Sequence, residues 1–140
     1  MPAPNDCEIA RVFTRRPGQV IADTTFRTDE KFEVVVEGEV GQTLLDSGAP
    51  YVIGVTVRNL TDGSTFTPQH NVEEAHDFLD AGEWDAPTHQ QAFGPFSPVP
   101  GTFQQGAHMY EVLAYIRAGK TDPDVSYARS PIFIVYKHTR

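Results

Sequence analysis

The feature that most constrains this chain is the two-residue period of FEVVVEGEV, residues 32 to 40, where Phe32, Val34, Val36 and Val40 alternate with Glu33, Glu37 and Glu39. Successive residues of a β-strand face opposite ways, so this run predicts a strand with one buried and one wet face. A strand of that kind has no stability alone and needs neighbours plus an opposing layer. Residues 51 to 58, YVIGVTVR, repeat the period with Tyr51, Ile53, Val55 and Val57 inward, and run into Asp62-Gly63, a hairpin signal that predicts a third strand over 64 to 67. Residues 107 to 118 place Tyr110, Val112, Ala114 and Ile116 on one parity, and a turn-rich stretch leads into a closing strand over 126 to 137. Two weaker runs, 8 to 14 and 19 to 26, are split by Arg15-Arg16-Pro17-Gly18, where the chain is expected to change sheets.

One segment breaks the pattern. In NVEEAHDFLDAG, residues 71 to 82, Val72, Ala75, His76 and Leu79 fall at helical spacing, Asn71 and Glu74 suit an N-terminal cap and Gly82 suits a stop, which predicts a helix of about two to three turns. From Ala86 to Gly106, four prolines and three phenylalanines predict an ordered irregular loop with at most a short strand. Several short strands punctuated by Gly and Pro, with one short helix, point to an all-β fold, an antiparallel β-sandwich.

The last third narrows this. Gly106, Tyr110, an alternating strand, a turn and a closing strand containing Pro131 resemble the final strand pair of immunoglobulin-like and fibronectin type III-like domains. The resemblance implies an immunoglobulin-like sandwich of about seven strands, with Tyr110 at the tyrosine-corner place, its hydroxyl bonded to upstream backbone, and a binding or spacer role. The cysteine pair of true immunoglobulin domains is absent, and Trp84 is not on the strand that carries their core tryptophan.

A length of 140 residues fits a single domain, with residues 1 to 7 expected as a loose tail. Eleven Lys and Arg against nineteen Asp and Glu give a net charge of −8, which argues against nucleic acid or an anionic membrane as partner. No apolar run approaches the roughly 18 residues of a membrane span, and the opening residues lack the apolar region of a signal peptide. The expected location is the cytoplasm, or a virion if the gene belongs to a phage. The single cysteine, Cys7, excludes an intramolecular disulfide and a cysteine-based metal cluster, and Asp6 and Glu8 beside it raise the thiol pKa and make it a poor nucleophile. No G-x-S-x-G, dinucleotide or phosphate-loop motif is present, and carboxylate pairs such as Glu37 with Glu39 read as solubilising charge. The expectation is a protein that is not an enzyme and needs no cofactor.

Candidate sites remain. His70, His76, His89 and His108, beside several carboxylates, have the ligand chemistry of zinc or non-haem iron but not the spacing of H-E-x-x-H or of a cupin. Trp84 with Glu83 and Asp85 suits an aromatic platform for a sugar or another small ligand. Between Phe32 and Ile116 a single base, Arg58, stands against twelve acids, so an acidic middle is able to meet the basic end of a neighbour, where Arg15 and Arg16 would serve as polar contacts. The last two strands carry the most useful anomaly: Met109, Leu113, Tyr115, Phe133 and Val135 oppose the core parity, leaving an apolar outer face. Either the Phe-Pro loop or the helix covers it, or a second protein does. The leading expectation is a non-enzymatic interaction or structural module in a homo-oligomer or larger assembly, with virion parts as a fitting setting. A sugar-binding sandwich comes second and a histidine-carboxylate metalloenzyme third.

Overall fold

The alternating runs become strands in a computed structural model that describes residues 3, 4, 6–61, 71–97, 106–119 and 124–137. The elements are β1 (Cys7–Arg15), β2 (Thr25–Arg27), β3 (Phe32–Val40), α1 (Gln42–Asp46), β4 (Pro50–Asn59), β5 (Asn71–Asp77), β6 (Thr88–Phe96), β7 (Gly106–Ala118), β8 (Asp124–Arg129) and β9 (Phe133–Lys137). They form two sheets. The smaller has the order β1-β3-β6, and the larger the order β2-β9-β7-β4-β5, with β8 also paired to β7. The fold is all-β, as the periodicity predicts.

The valines of β3 explain its central place. Val34 and Val36 are fully buried between the sheets, while Glu33, Glu37 and Glu39 on the opposite parity are only half-buried. Tyr51, Ile53, Val55 and Val57 of β4 and Tyr110, Val112, Ala114 and Ile116 of β7 meet them from the larger sheet, all within one hydrophobic cluster. Aromatic rings close both ends. Phe26, Phe32, Phe133 and Tyr110 pack at 5.1 to 6.0 Å between centroids at one end. Trp84 sits edge-on to Tyr51 and Phe78 at 5.3 and 5.1 Å at the other. Rings at such separations add to the area they bury.

The chain does change sheets after Arg15. β1 pairs with β3, a bridge between Arg15 and Ala22 turns the chain, and β2 then pairs parallel with β9 in the other sheet.

Several expectations are corrected. Residues 71 to 77 are strand β5, in antiparallel register with β4 from Pro50 opposite Asp77 to Thr56 opposite Asn71. A helix there would leave the edge of β4 unpaired along its length, and isolated helices of two or three turns are marginal. The helical spacing ends instead in a turn, where Leu79 adopts φ 74° and its N–H donates to Trp84 O. Among the described residues the single helix is α1, which follows β3 in the chain and buries Leu45. The proline-rich stretch begins with a nine-residue strand, β6, antiparallel to β3. Of residues 1 to 7, Asp6 O accepts from Gly41 N, Pro4 O accepts from Leu44 N, and Cys7 is buried in β1, while residues 1, 2 and 5 lie outside the described residues. The strand expected over 64 to 67 lies outside the described residues.

The closing strand divides. β8 and β9 pair antiparallel with the same edge of β7, but the chain advances four residues from Arg129 to Phe133 while β7 advances three, from Leu113 to Tyr110. One extra residue flips every following side chain to the other face. Ser130 stabilises the bulge: its N–H donates to Val112 O and its hydroxyl accepts from Val112 N at 3.0 Å.

Candidate contact surface

The bulge at Ser130 decides which residues face outward. Phe133 and Val135, expected on the outer face, are fully buried in the core, while Met109, Leu113 and Tyr115 stay on the outer side. Ile132 and Ile134 take the places that Phe133 and Val135 leave, and β8 adds Val125 and Tyr127. The apolar outer face survives with a partly different membership.

The register lays this face out in rows across β8, β7, β4 and β5. One row runs Val125, Arg117, Val52, Ala75; the next runs Tyr127, Tyr115, Gly54, Glu73; a third begins Arg129, Leu113, Thr56. Tyr127 is 79% exposed, Ile132 49%, Met109 46% and Val125 43%. A shallow hollow of about 390 Å³ opens among Leu113, Ala114, Tyr127, Ala128 and Arg129. Tyr115 lies flat across Gly54, whose missing side chain makes room, because a Cβ there would overlap the phenol ring. Burial pushes the Tyr115 hydroxyl up to about 12, reinforced by its hydrogen bond to the Glu73 carboxylate and by that carboxylate's charge.

By column, this face carries Arg129 on β8, Arg117 and Glu111 on β7, Arg58 opposite Glu111 on β4, and Glu73 with Asp77 on β5. Glu111, on the same parity of β7, is drawn down to 8% exposure, with Arg129 Nη1 at 3.8 Å from its Oε1. Of the covers named from sequence, no helix forms at 71 to 82 and Phe93 and Phe96 belong to the core, while Phe103 and the rest of the loop from 98 to 105 lie outside the described residues.

Arg15 and Arg16 are both paired within the chain. Arg15 Nε donates to Glu33 Oε1 at 2.9 Å, on side chains only 18% exposed. Arg16 binds Asp23 at 2.9 Å and Glu30, with its guanidinium over the Phe26 ring. The sequence showed the bases but not that Asp23, Glu30 and Glu33 fold back onto them.

Trp84 is fully buried, so it presents no ring face to a sugar, and its Nε1 has no hydrogen-bond partner. Glu83 turns to His76, at 3.4 Å from Nε2, and Asp85 is exposed. The described histidines occupy separate places. His76 on β5 bridges Glu74 and Glu83, His89 on β6 stacks on Trp84 at 5.4 Å, and His108 on β7 meets Asn59 Nδ2 at 2.9 Å. His70 lies outside the described residues. Among the described residues no group of three or more His, Cys, Asp or Glu is arranged to hold a metal ion. Burial, then the charges of Asp124, Asp6 and Glu8, push the Cys7 thiol up to about 12, which suppresses the thiolate. Among the described residues no helix is long and apolar enough to cross a membrane.

No model of a known protein family matches this chain, and no curated protein matches it.

Proposed function

We propose that this protein is a non-enzymatic structural module that works by protein contact, joining copies of itself through the outer face of its larger sheet. The observation that carries the reading is the run of exposed Tyr127, Val125, Met109 and Ile132 beside half-buried Leu113 and Tyr115 on one continuous face. Self-contact is favoured by charge: a two-fold axis parallel to the strands, between β7 and β4, sets β8 of one copy over β5 of the other and Glu111 of β7 over the second copy's Arg58 on β4. It also lays Tyr127 over Glu73 of the second copy.

The reading includes an immunoglobulin-like topology. Taking β1, β3, β4, β5, β6 and β7 as A, B, C, C′, E and F, with β8 and β9 together as G, the sheets become A-B-E and G-F-C-C′, the arrangement of that superfamily without strand D. Tyr110 then falls near the start of F, buried, with Asn59 Nδ2 donating to its hydroxyl at 3.4 Å. Small sandwiches of this type suit a repeating assembly such as a virion part put together in the cytoplasm.

The test compares wild type with Tyr127→Glu, a change at an exposed site, by sedimentation at matched concentration. The variant is expected to have the smaller molar mass with an unchanged circular dichroism spectrum. Equal masses overturn the reading.

A further inference from the structure

A second surface stands apart from the outer face. Each long sheet edge is a row of backbone N–H and C=O groups that templates another strand unless something blocks it. Along β1 the blocking is done by side chains of β8: Cys7 N donates to Asp124 Oδ2 at 2.9 Å, and Ile9 N to Ser126 Oγ at 3.1 Å. The β5 edge is blocked by charge, with Glu73, Glu74 and Asp77 in seven residues. On β6, Pro95 and the bulge between Phe93 and Phe96 interrupt only the far end, and Gln91 Nε2 donates to Ala92 O at 3.3 Å within the strand. Over Thr88 to Phe93 it carries no Asp, Glu, Lys or Arg, pairs with β3 on one side, and no described strand pairs with its other side. Residues 78 to 87, which join β5 to β6, are all described and contain no strand.

We propose that the β6 edge is a pairing site for the β6 strand of a second copy, antiparallel about a two-fold axis at Gln91, merging two three-stranded sheets into one of six. The register follows from that axis. Gln91 faces itself, Gln90 faces the second copy's Ala92, and His89 faces its Phe93. On the core side this continues the apolar surface, because His89, stacked on Trp84, meets the Phe93 that packs opposite Val34. On the outer side an amide meets a methyl group. No acid is brought opposite an acid, whereas the same operation on β5 about Glu74 sets that carboxylate against its own copy. Like charges directly opposed destabilise a strand pair, so β6 is the edge on which self-pairing meets no charge penalty.

Gln90 and Ala92 are exposed, so changing them leaves the core intact. The test uses the full chain with Tyr127→Glu, which removes the outer-face contact and leaves the edge. That protein is expected at twice 15.5 kDa by light scattering. Adding Gln90→Lys with Ala92→Lys opposes two pairs of lysines and is expected to weaken the dimer, whereas Gln90→Lys with Ala92→Glu opposes Lys to Glu and retains it, with dissociation constants about tenfold apart. A Tyr127→Glu protein that is monomeric at all concentrations overturns the edge site, and leaves the outer-face reading standing if wild type is larger. Equal affinities for the two double variants overturn the Gln91 register. Independently of any substitution, wild-type amides of residues 88 to 94 are expected to gain exchange protection as concentration rises, and protection that ignores concentration counts against the pairing.

Discussion

Replacing Gly38 with alanine tests whether β3 passes Trp84 as closely as the fold requires. A Cβ on Gly38 would lie 2.5 Å from Trp84 Cη2, 3.0 Å from its Cζ2 and 3.2 Å from Ile116 Cδ1. Carbon atoms pack comfortably at roughly 3.5–4.0 Å, so about 1 Å of relief is needed. The indole has little room to give it, being fully buried and held by Tyr51, Phe78 and His89 at 5.3, 5.1 and 5.4 Å between centroids. Overpacking of this kind costs about 1–3 kcal/mol. Alanine returns roughly 0.5–1 kcal/mol by restricting the unfolded chain and favouring extended backbone. The net loss is about 0–2.5 kcal/mol, centred at about 1 kcal/mol, which at a urea m-value of about 2 kcal/mol/M lowers the midpoint by about 0.5 M. Trp84 is the single tryptophan, so its fluorescence reports both the unfolding and the local shift. A midpoint equal to or above wild type, with an unchanged emission spectrum, refutes the close approach.

Three further outcomes are expected. Phe133→Ala should cost about 3–5 kcal/mol in chemical denaturation whereas Ile132→Ala stays within about 1 kcal/mol, and the opposite ranking would reverse the bulge assignment at Ser130. Tyr51 and Tyr115 are both raised to about 12, Tyr51 by burial and then by Glu83, Asp80 and Glu74, so the unfolded chain loses their protons first. Stability is therefore full below about pH 10 and falls between about pH 10 and 12, and a flat profile across that window by thermal melting contradicts it. Asp124→Ala removes the acceptor of Cys7 N and should destabilise by about 1–3 kcal/mol, with Asp124→Asn recovering most of the loss because the amide oxygen still accepts; equal losses would show that the edge contact is immaterial.

What the sequence revealed divides along the range of the interactions. The core parity of β3, β4 and β7 was legible because Phe32, Val34, Val36 and Val40, then Tyr51, Ile53, Val55 and Val57, then Tyr110, Val112, Ala114 and Ile116 recur at the two-residue spacing, and all of them are buried. β5 was misread because Val72, Ala75, His76 and Leu79 satisfy a helical period by coincidence, and only the unpaired edge of β4, a long-range demand, makes the segment extended. The outer face was half legible. Met109, Leu113 and Tyr115 followed from parity, but the extra residue around Ser130 and Pro131 left no periodic trace and reversed Phe133 and Val135. Pro131 within a strand pattern was the available signal, since proline inside a sheet marks edges and bulges. The pairing of Arg15 and Arg16 with Glu33, Asp23 and Glu30 depends on the chain turning between sheets, which composition does not encode. Trp84 gave no sign of its burial because the turn that carries it is placed by Tyr51 and by the gap at Gly38.

The most direct test of the central claim, self-association through the outer face of the larger sheet, is the native molar mass by light scattering after size exclusion, over a dilution series at low and high salt. The account predicts a species at a multiple of 15.5 kDa that shifts toward the monomer on dilution. Salt should weaken it only modestly, because apolar contact persists where the charge columns are screened. A sharp monomer at every concentration and at both salt levels would contradict the claim.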